Sequence, residues 1–108
     1  MSIAKFEIGR IVHTRGISEM CSSFQGKSTF VANCMRRHIS GDWGDLDQED
    51  KDANDEALLC PLDKIKDWGD RILSAYNFEQ LPGIRDTKIY ILTEGDRSVT
   101  TIYFPSEH

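Results

Sequence analysis

The last third of the chain alternates apolar and polar residues with the period of two that β-strands require. This alternation predicts strands over Arg71–Tyr76, Lys88–Thr93 and Ser98–Phe104. A β-rich run near the start predicts a further strand over Phe6–Thr14, with Gly9 as a bulge or kink. The pattern therefore indicates a sheet built from the N-terminal strand and a C-terminal meander.

The two C-terminal strands are joined by a tight turn, for which Gly95-Asp96 suits a two-residue type II′ hairpin loop. In that register Glu94 lies opposite Arg97 and Ile91 lies opposite Thr100. Both faces of the hairpin are then apolar. One face carries Ile89, Ile91, Ile102 and Phe104, and the other carries Tyr90, Leu92, Val99 and Tyr103.

The middle of the chain follows the 3.6-residue period of helices. A short helical segment is predicted near Ile17–Ser22, and a longer helix follows Ser28, whose side chain can serve as the N-cap. Its apolar stripe has helical spacing and consists of Val31, Cys34, Met35 and His38. A third helix is predicted from an N-cap at Asp45, with Gln48 at N3, to its end at Cys60-Pro61.

These elements predict one α+β domain over residues 1–108, because the chain is long enough for one modest core only. We expect three or four antiparallel strands with two or three helices packed on one face. Helices in a domain of this size cover only one sheet face fully. The uncovered apolar face is therefore predicted to be an interaction surface, most simply for a homodimer.

Charge is distributed unevenly, although the formal net charge is only −5. Residues 1–40 hold six Lys or Arg against two acids, whereas residues 41–60 hold eight acids against one Lys. Some of the acidity suits the first turn of a helix, where the helix dipole favours carboxylates. The remaining acidic residues have two possible interpretations: a solvated face of a helix, or a surface that steers a charged partner. The overall acidity counts against direct nucleic-acid binding.

Other sequence features bound the location and chemistry of the protein. The first residues show no apolar core of a signal peptide, and no apolar run reaches the roughly 20 residues of a membrane span. Three widely spaced cysteines, Cys21, Cys34 and Cys60, fit neither a disulfide framework nor a CxxC metal site. We therefore expect a cytoplasmic protein with reduced thiols, no membrane association and no cofactor.

Candidate chemistry centres on His38 and its neighbours in sequence. The spacing of Cys34 and His38 would allow two metal ligands on one helical face, but an apolar stripe favours packing, and we expect no metal. His38 could act as a general base that Asp42 orients, which would make a base–orienter pair. The sequence shows no motif that would place a serine or cysteine nucleophile beside them. Gly26-Lys27-Ser28 lacks the upstream glycine of a phosphate-binding loop.

No catalytic residue is therefore assigned from the sequence. Trp43 is predicted to plug the core, with its indole N–H reaching Asp42 or a carbonyl. The alternative places Trp43 in a binding site. The candidate binding residues are His38, Asp42, Trp43, Asp45, Asn54, Asp96 and Arg97.

Several motifs together resemble a family of small bacterial plasmid-related proteins. The resemblance rests on Gly9-Arg10-Ile11-Val12, Arg37-His38-Ile39-Ser40-Gly41-Asp42-Trp43-Gly44-Asp45-Leu46, Asp50…Asn54…Ala57-Leu58, Arg71–Tyr76 and Ile91–Thr101. Some members of that family carry the label of a type I restriction–modification subunit, but this chain has no room for the cofactor domain of a methyltransferase. The resemblance implies a role on mobile elements and supplies no catalytic residues. Segments Cys21–Lys27 and Cys60–Gly69 depart from the family pattern.

Three functional hypotheses follow from these observations. The first is a non-enzymatic accessory or protein-interaction module of bacterial mobile elements. The second is an anti-defence protein, an acidic decoy for a restriction or CRISPR nuclease that uses the run 42–56. The third is a small hydrolase that uses His38 and Asp42.

Overall fold

The computed structural model, which describes residues 4–107, has four strands in that range. They are β1 (Arg10–His13), β2 (Ile72–Asn77), β3 (Lys88–Thr93) and β4 (Val99–Tyr103). The strands form one sheet in the order β1-β4-β3-β2, so the first and last strands lie side by side at one edge. The predicted α+β class is confirmed.

The sheet is mixed, so the expectation of a purely antiparallel sheet is wrong. β3 pairs antiparallel with both β2 and β4, whereas β1 pairs parallel with β4. A tight hairpin forces antiparallel pairing, but β1 and β4 have no short connection between them. Their relative direction is therefore free to be parallel.

Four α-helices occur in the described part of the chain, where two or three were expected. They are α1 (Arg15–Ser23), α2 (Lys27–Ile39), α3 (Gln48–Ala57) and the single turn α4 (Ile65–Trp68). Short 3₁₀ turns cover Leu62–Lys64 and Pro105–Glu107. None of the helices between residues 4 and 107 has the length and apolar character to cross a membrane.

Two helix starts differ from their predictions. Gly26, not Ser28, precedes α2, and Gly26 takes a left-handed φ of 87°. Asp47, not Asp45, caps α3, accepting a hydrogen bond from the Asp50 amide at 2.9 Å. Asp45 is unavailable for capping because residues 43–45 run beside β2, where the Asp45 amide donates to the Ala75 carbonyl at 2.7 Å.

A glycine is required where this segment meets β2. A Cβ on Gly44 would lie 2.0 Å from the Ala75 carbonyl oxygen, and the φ of Gly44 is +76°. No other residue allows this approach without a shift of the backbone. Gly9 has a comparable role, because its φ is +61° and a Cβ there would lie 2.2 Å from the Ser98 carbonyl oxygen. It precedes β1 and does not lie within a strand, because β1 covers only Arg10–His13 of the predicted Phe6–Thr14.

The helices α1 and α2 pack on one face of the sheet and form the larger hydrophobic cluster. Its buried members are Ile17, Met20, Cys34, Tyr76, Leu81, Ile89, Ile91, Ile102 and Phe104. A smaller cluster of Trp43, Ala57 and Ile72, flanked by Phe6, Leu46 and Leu58, joins α3 to the edge strand β2. The predicted core stripe of α2 is confirmed, since Cys34 and His38 are both buried.

The β3–β4 hairpin has a longer loop than predicted. Thr93 pairs with Thr100 and Ile91 with Ile102, and the Glu94 amide donates to the Val99 carbonyl at 3.0 Å. The predicted pairing of Glu94 with Arg97 is therefore wrong by two residues. A shift of two leaves every side chain on its predicted face, because strand side chains alternate with that period.

Candidate functional site

His38, the first candidate residue, lies inside the protein with none of its surface exposed. Its ring is hydrogen-bonded through Nδ1 to the Ser74 hydroxyl and through Nε2 to the Thr93 hydroxyl, the latter at 2.8 Å. Thr93 is in turn bonded to Thr100 at 2.7 Å, and the Thr100 hydroxyl donates to the Ile8 carbonyl at 2.7 Å. The result is a buried polar chain of four side chains that ends at the N-terminal segment.

The donor-to-acceptor direction of these hydrogen bonds fixes the tautomer of His38. Because Thr100 donates to a carbonyl, it accepts from Thr93, and Thr93 must then accept from Nε2–H. Nδ1 is left unprotonated and accepts the Ser74 hydroxyl proton. Burial lowers the pKa of His38 to about 4, so this neutral form persists at ordinary pH. Each polar atom of the chain is thus satisfied inside the core.

His38 and Asp42 do not form the base–orienter pair that a hydrolase would need. The Asp42 carboxylate accepts from Arg37 Nε at 2.7 Å and from the Gly44 amide at 3.2 Å. The hydrogen bond from Arg37 lowers the pKa of Asp42, and the pair holds the loop after α2 closed. The geometry gives His38 a structural role and leaves it no open face for a substrate.

Trp43 is a core residue, as predicted, with 4% of its surface exposed. Its ring lies 6.0 Å from His38 and 6.1 Å from Phe6, between centroids. The indole N–H donates to the Asp55 carboxylate at 2.9 Å rather than to Asp42. Trp43 therefore joins the end of α2 to α3 and shields His38 from solvent.

Asn54 has a role that sequence reasoning did not find. Its side-chain amide donates to the Leu73 carbonyl at 2.7 Å and accepts from the Leu73 amide at 3.2 Å. This pair of bonds continues the ladder beyond the edge strand β2, so α3 protects that edge. A buried Asn on the small inward face of a predicted helix was the available signal.

Many carboxylates of the acidic run have structural partners. Asp42, Asp45, Asp47 and Asp55 accept the bonds from Arg37, Asn77, Asp50 and Trp43 respectively. By contrast, Glu49, Asp50 and Glu56 are exposed, and none of them makes a side-chain hydrogen bond or ion pair within the described residues. The free negative surface is therefore smaller than the composition suggests.

Asp96 and Arg97 lie in the β3–β4 loop, away from His38 and Trp43 in sequence. Asp96 is exposed and accepts from the Ser98 amide at 3.0 Å. Arg97 is buried, and its φ of 63° is left-handed, which is uncommon for a residue with a side chain. The candidate residues thus serve several packing functions, and the structure does not bring all of them into one cleft.

No metal centre is suggested by the geometry. Across residues 4–107, no group of three or more His, Cys, Asp or Glu side chains is placed to hold a metal ion. Cys34 is buried, and burial raises the pKa of its thiol to about 11. The three cysteines have free thiols.

The sheet face opposite helices α1 and α2 also carries apolar side chains. Leu73, Tyr90, Leu92 and Val99 lie half-buried on this face, and Tyr103 on the same face is 6% exposed. None of these side chains belongs to either hydrophobic cluster. The rings of Tyr90 and Tyr103 contact each other edge to face, with centroids 5.5 Å apart. This confirms that apolar side chains occupy both faces of the hairpin.

One row of side chains runs across the centre of this face. Alternation along β3 places Lys88, Tyr90, Leu92 and Glu94 on the same side, and these four residues are called the open row below. The Lys88 ammonium lies 5.4 Å from the centroid of the Tyr90 ring. The open row therefore begins with a cation, continues with two apolar side chains and ends with an anion.

Comparison with models of known protein families, with curated proteins and with solved structures gave no match.

Proposed function

We propose that the protein is a non-enzymatic interaction module that associates in pairs through the open row and its apolar neighbours. The observation that supports this most directly is the charge order of the row. When two such faces pack about a twofold axis perpendicular to β3, the row of one copy runs antiparallel to the row of the other. Lys88 then faces Glu94 of the second copy, and Tyr90 faces Leu92.

The area of the face sets the expected strength. Six residues along a strand at about 3.4 Å each, and four strands about 4.8 Å apart, give roughly 400 Å² per copy. Stable interfaces bury about 800 Å² per partner, so we expect a reversible dimer rather than an obligate one. Such a module suits an accessory protein of the bacterial cytoplasm. The motif resemblance to plasmid-related proteins supports a place on mobile elements.

The dimer should be lost when charge is placed on the apolar face. We expect Tyr90→Lys combined with Val99→Lys to convert the protein to a monomer at high micromolar concentration, because four lysines would be buried per dimer. Sedimentation velocity measures the change, and circular dichroism checks the fold. The matched control, Leu59→Lys with Trp68→Lys, adds the same charge on side chains that are 79% and 74% exposed elsewhere.

A charge exchange tests the arrangement itself. Lys88→Glu should weaken association, because it places two carboxylates together twice per dimer. Adding Glu94→Lys to that variant should restore association, since the pair is reversed but remains complementary. A parent protein that is monomeric at high micromolar concentration would remove the homodimer. A double exchange that fails to recover association would contradict the proposed orientation.

The exposed carboxylates of α3 support the second candidate, a decoy that occupies the DNA-binding groove of a restriction nuclease. This alternative predicts that the protein inhibits DNA cleavage by a type I restriction enzyme. Reversal of Glu49, Asp50 and Glu56 to Lys should abolish the inhibition, because these carboxylates lack internal partners. Reversal of Glu19, Asp63 and Asp67 gives the same change in net charge and should preserve it. Equal loss in both variants would argue against a specific decoy surface.

A further inference from the structure

A cavity of about 320 Å³ lies between the N-terminal segment, the stretch 58–66 and the β3–β4 loop. This volume is at the lower end of the range for small-molecule sites, roughly 300–1,000 Å³. Its walls combine apolar and cationic side chains, among them Phe6, Leu58, Ile65, Lys5, Lys66 and Arg97. The cavity shares no residue with the open row.

Arg97 gives this cavity its chemical character. The guanidinium donates through Nη1 to the carbonyls of Asp70, Glu94 and Gly95 at 2.7, 3.2 and 2.9 Å, and through Nη2 to Ala57 at 3.4 Å. Its Nε is buried and has no hydrogen-bond partner among the described residues. Arg97 is 5% exposed, and the ion pairs found in residues 4–107 do not include it.

The Arg97 guanidinium contacts carbonyls and the Phe6 ring, whose centroid lies 6.0 Å from Cζ, and it forms no ion pair within the described residues. The carbonyls accept from Nη1 and Nη2, but neither they nor the Phe6 ring cancels the charge, so a carboxylate nearby would be stabilised. Burial also lowers the pKa of Arg97, which reflects the cost of holding this cation away from water. The wall of the cavity that contains Arg97 therefore favours an anion.

The other charged side chains of the cavity limit which anion fits. Lys5, Lys66 and Arg97 are opposed by Glu7 and Asp96, which leaves one net positive charge. One negative charge balances this wall, whereas a phosphate with two charges exceeds it. The apolar side chains of the cavity favour a ligand with a hydrocarbon part. A fully polar ligand would have to bury polar groups against these side chains without hydrogen-bond partners, which is unfavourable.

We propose that this cavity binds a small amphiphilic monocarboxylate. Its carboxylate lies at Arg97 and Lys66, and its hydrocarbon chain lies against Phe6, Leu58 and Ile65. This binding is independent of the proposed dimer, since the two sites have separate residues.

Isothermal titration with octanoate, below its micellar concentration, tests the proposal. Octanoate should bind at least about tenfold more tightly than octanamide, which has the same shape without the charge. Inorganic phosphate should not bind measurably. Cys60 lines the cavity, so octanoate should also slow alkylation of Cys60 by iodoacetamide without slowing that of Cys21, as followed by peptide mass spectrometry.

The variants avoid Arg97, whose loss could unfold the loop. Ile65→Trp fills the cavity and Lys66→Glu reverses a wall charge, and each should weaken octanoate binding about tenfold or more. Tyr90→Lys with Val99→Lys should leave binding unchanged. Absence of octanoate binding, equal affinity for octanamide, unprotected Cys60, or binding lost only in the open-row variant would overturn the proposal.

Discussion

Replacing Trp43 with alanine should lower the free energy of unfolding by about 3–5 kcal/mol, enough to unfold many domains of this size. The indole fills the space between Phe6, Ala57 and Ile72, and those side chains cannot collapse into the vacancy because each belongs to a different element. The variant also leaves the Asp55 carboxylate without its indole donor and opens a path for water to His38. Urea unfolding followed by circular dichroism measures the loss.

The second tryptophan of the chain provides the control. Trp68 is 74% exposed, so Trp68→Ala removes a side chain of the same size from solvent and should change the unfolding free energy by less than about 0.5 kcal/mol. A Trp43→Ala variant whose melting temperature stays within a degree or two of the parent would contradict the packing role. Trp43 would then have to be reconsidered as a binding residue.

The sequence was sufficient to predict the elements whose residues interact locally. Lys88–Thr93 is a strand with the bounds that its alternation indicated, and the α2 stripe is buried as its spacing required. The loop after β3 was not predictable in the same way. Gly95-Asp96 satisfies a two-residue turn locally, but the buried Arg97 bonds to the Asp70 and Ala57 carbonyls. Those distant contacts extend the loop to four residues.

Long-range contacts also explain why the candidate site was predicted only in part. Asp45 has every local property of an N-cap, yet β2 occupies its polar groups, so Asp47 caps the helix instead. Likewise His38 has the spacing of a metal ligand or a base, but Ser74, Thr93 and Thr100 were not recognisable as its partners. They lie on strands whose pairing brings three hydroxyl side chains to one spot.

The buried polar chain at His38 predicts that stability falls in mild acid. The pKa of His38 is about 4 in the folded protein and about 6.5 in an unfolded chain, so only the unfolded state binds a proton between these values. Stability contributed by the neutral ring is fully present above pH 6.5 and is lost as the pH falls toward 4. The free energy of unfolding should be about 2 kcal/mol lower at pH 5 than at pH 8.

Urea unfolding at several pH values checks this dependence, and two variants assign it. His38→Asn should be less stable than the parent at pH 8 but should lose the decline between pH 7 and 5, because the titrating group is absent. His13 is exposed, so His13→Gln should keep the full decline.

The paired carboxylates do not interfere in this window: Arg37 lowers the pKa of Asp42 and Lys27 lowers that of Glu79, so their contributions to stability are lost at lower pH. A parent protein with constant stability from pH 8 to 5 would show that His38 is accessible to protons in the folded state.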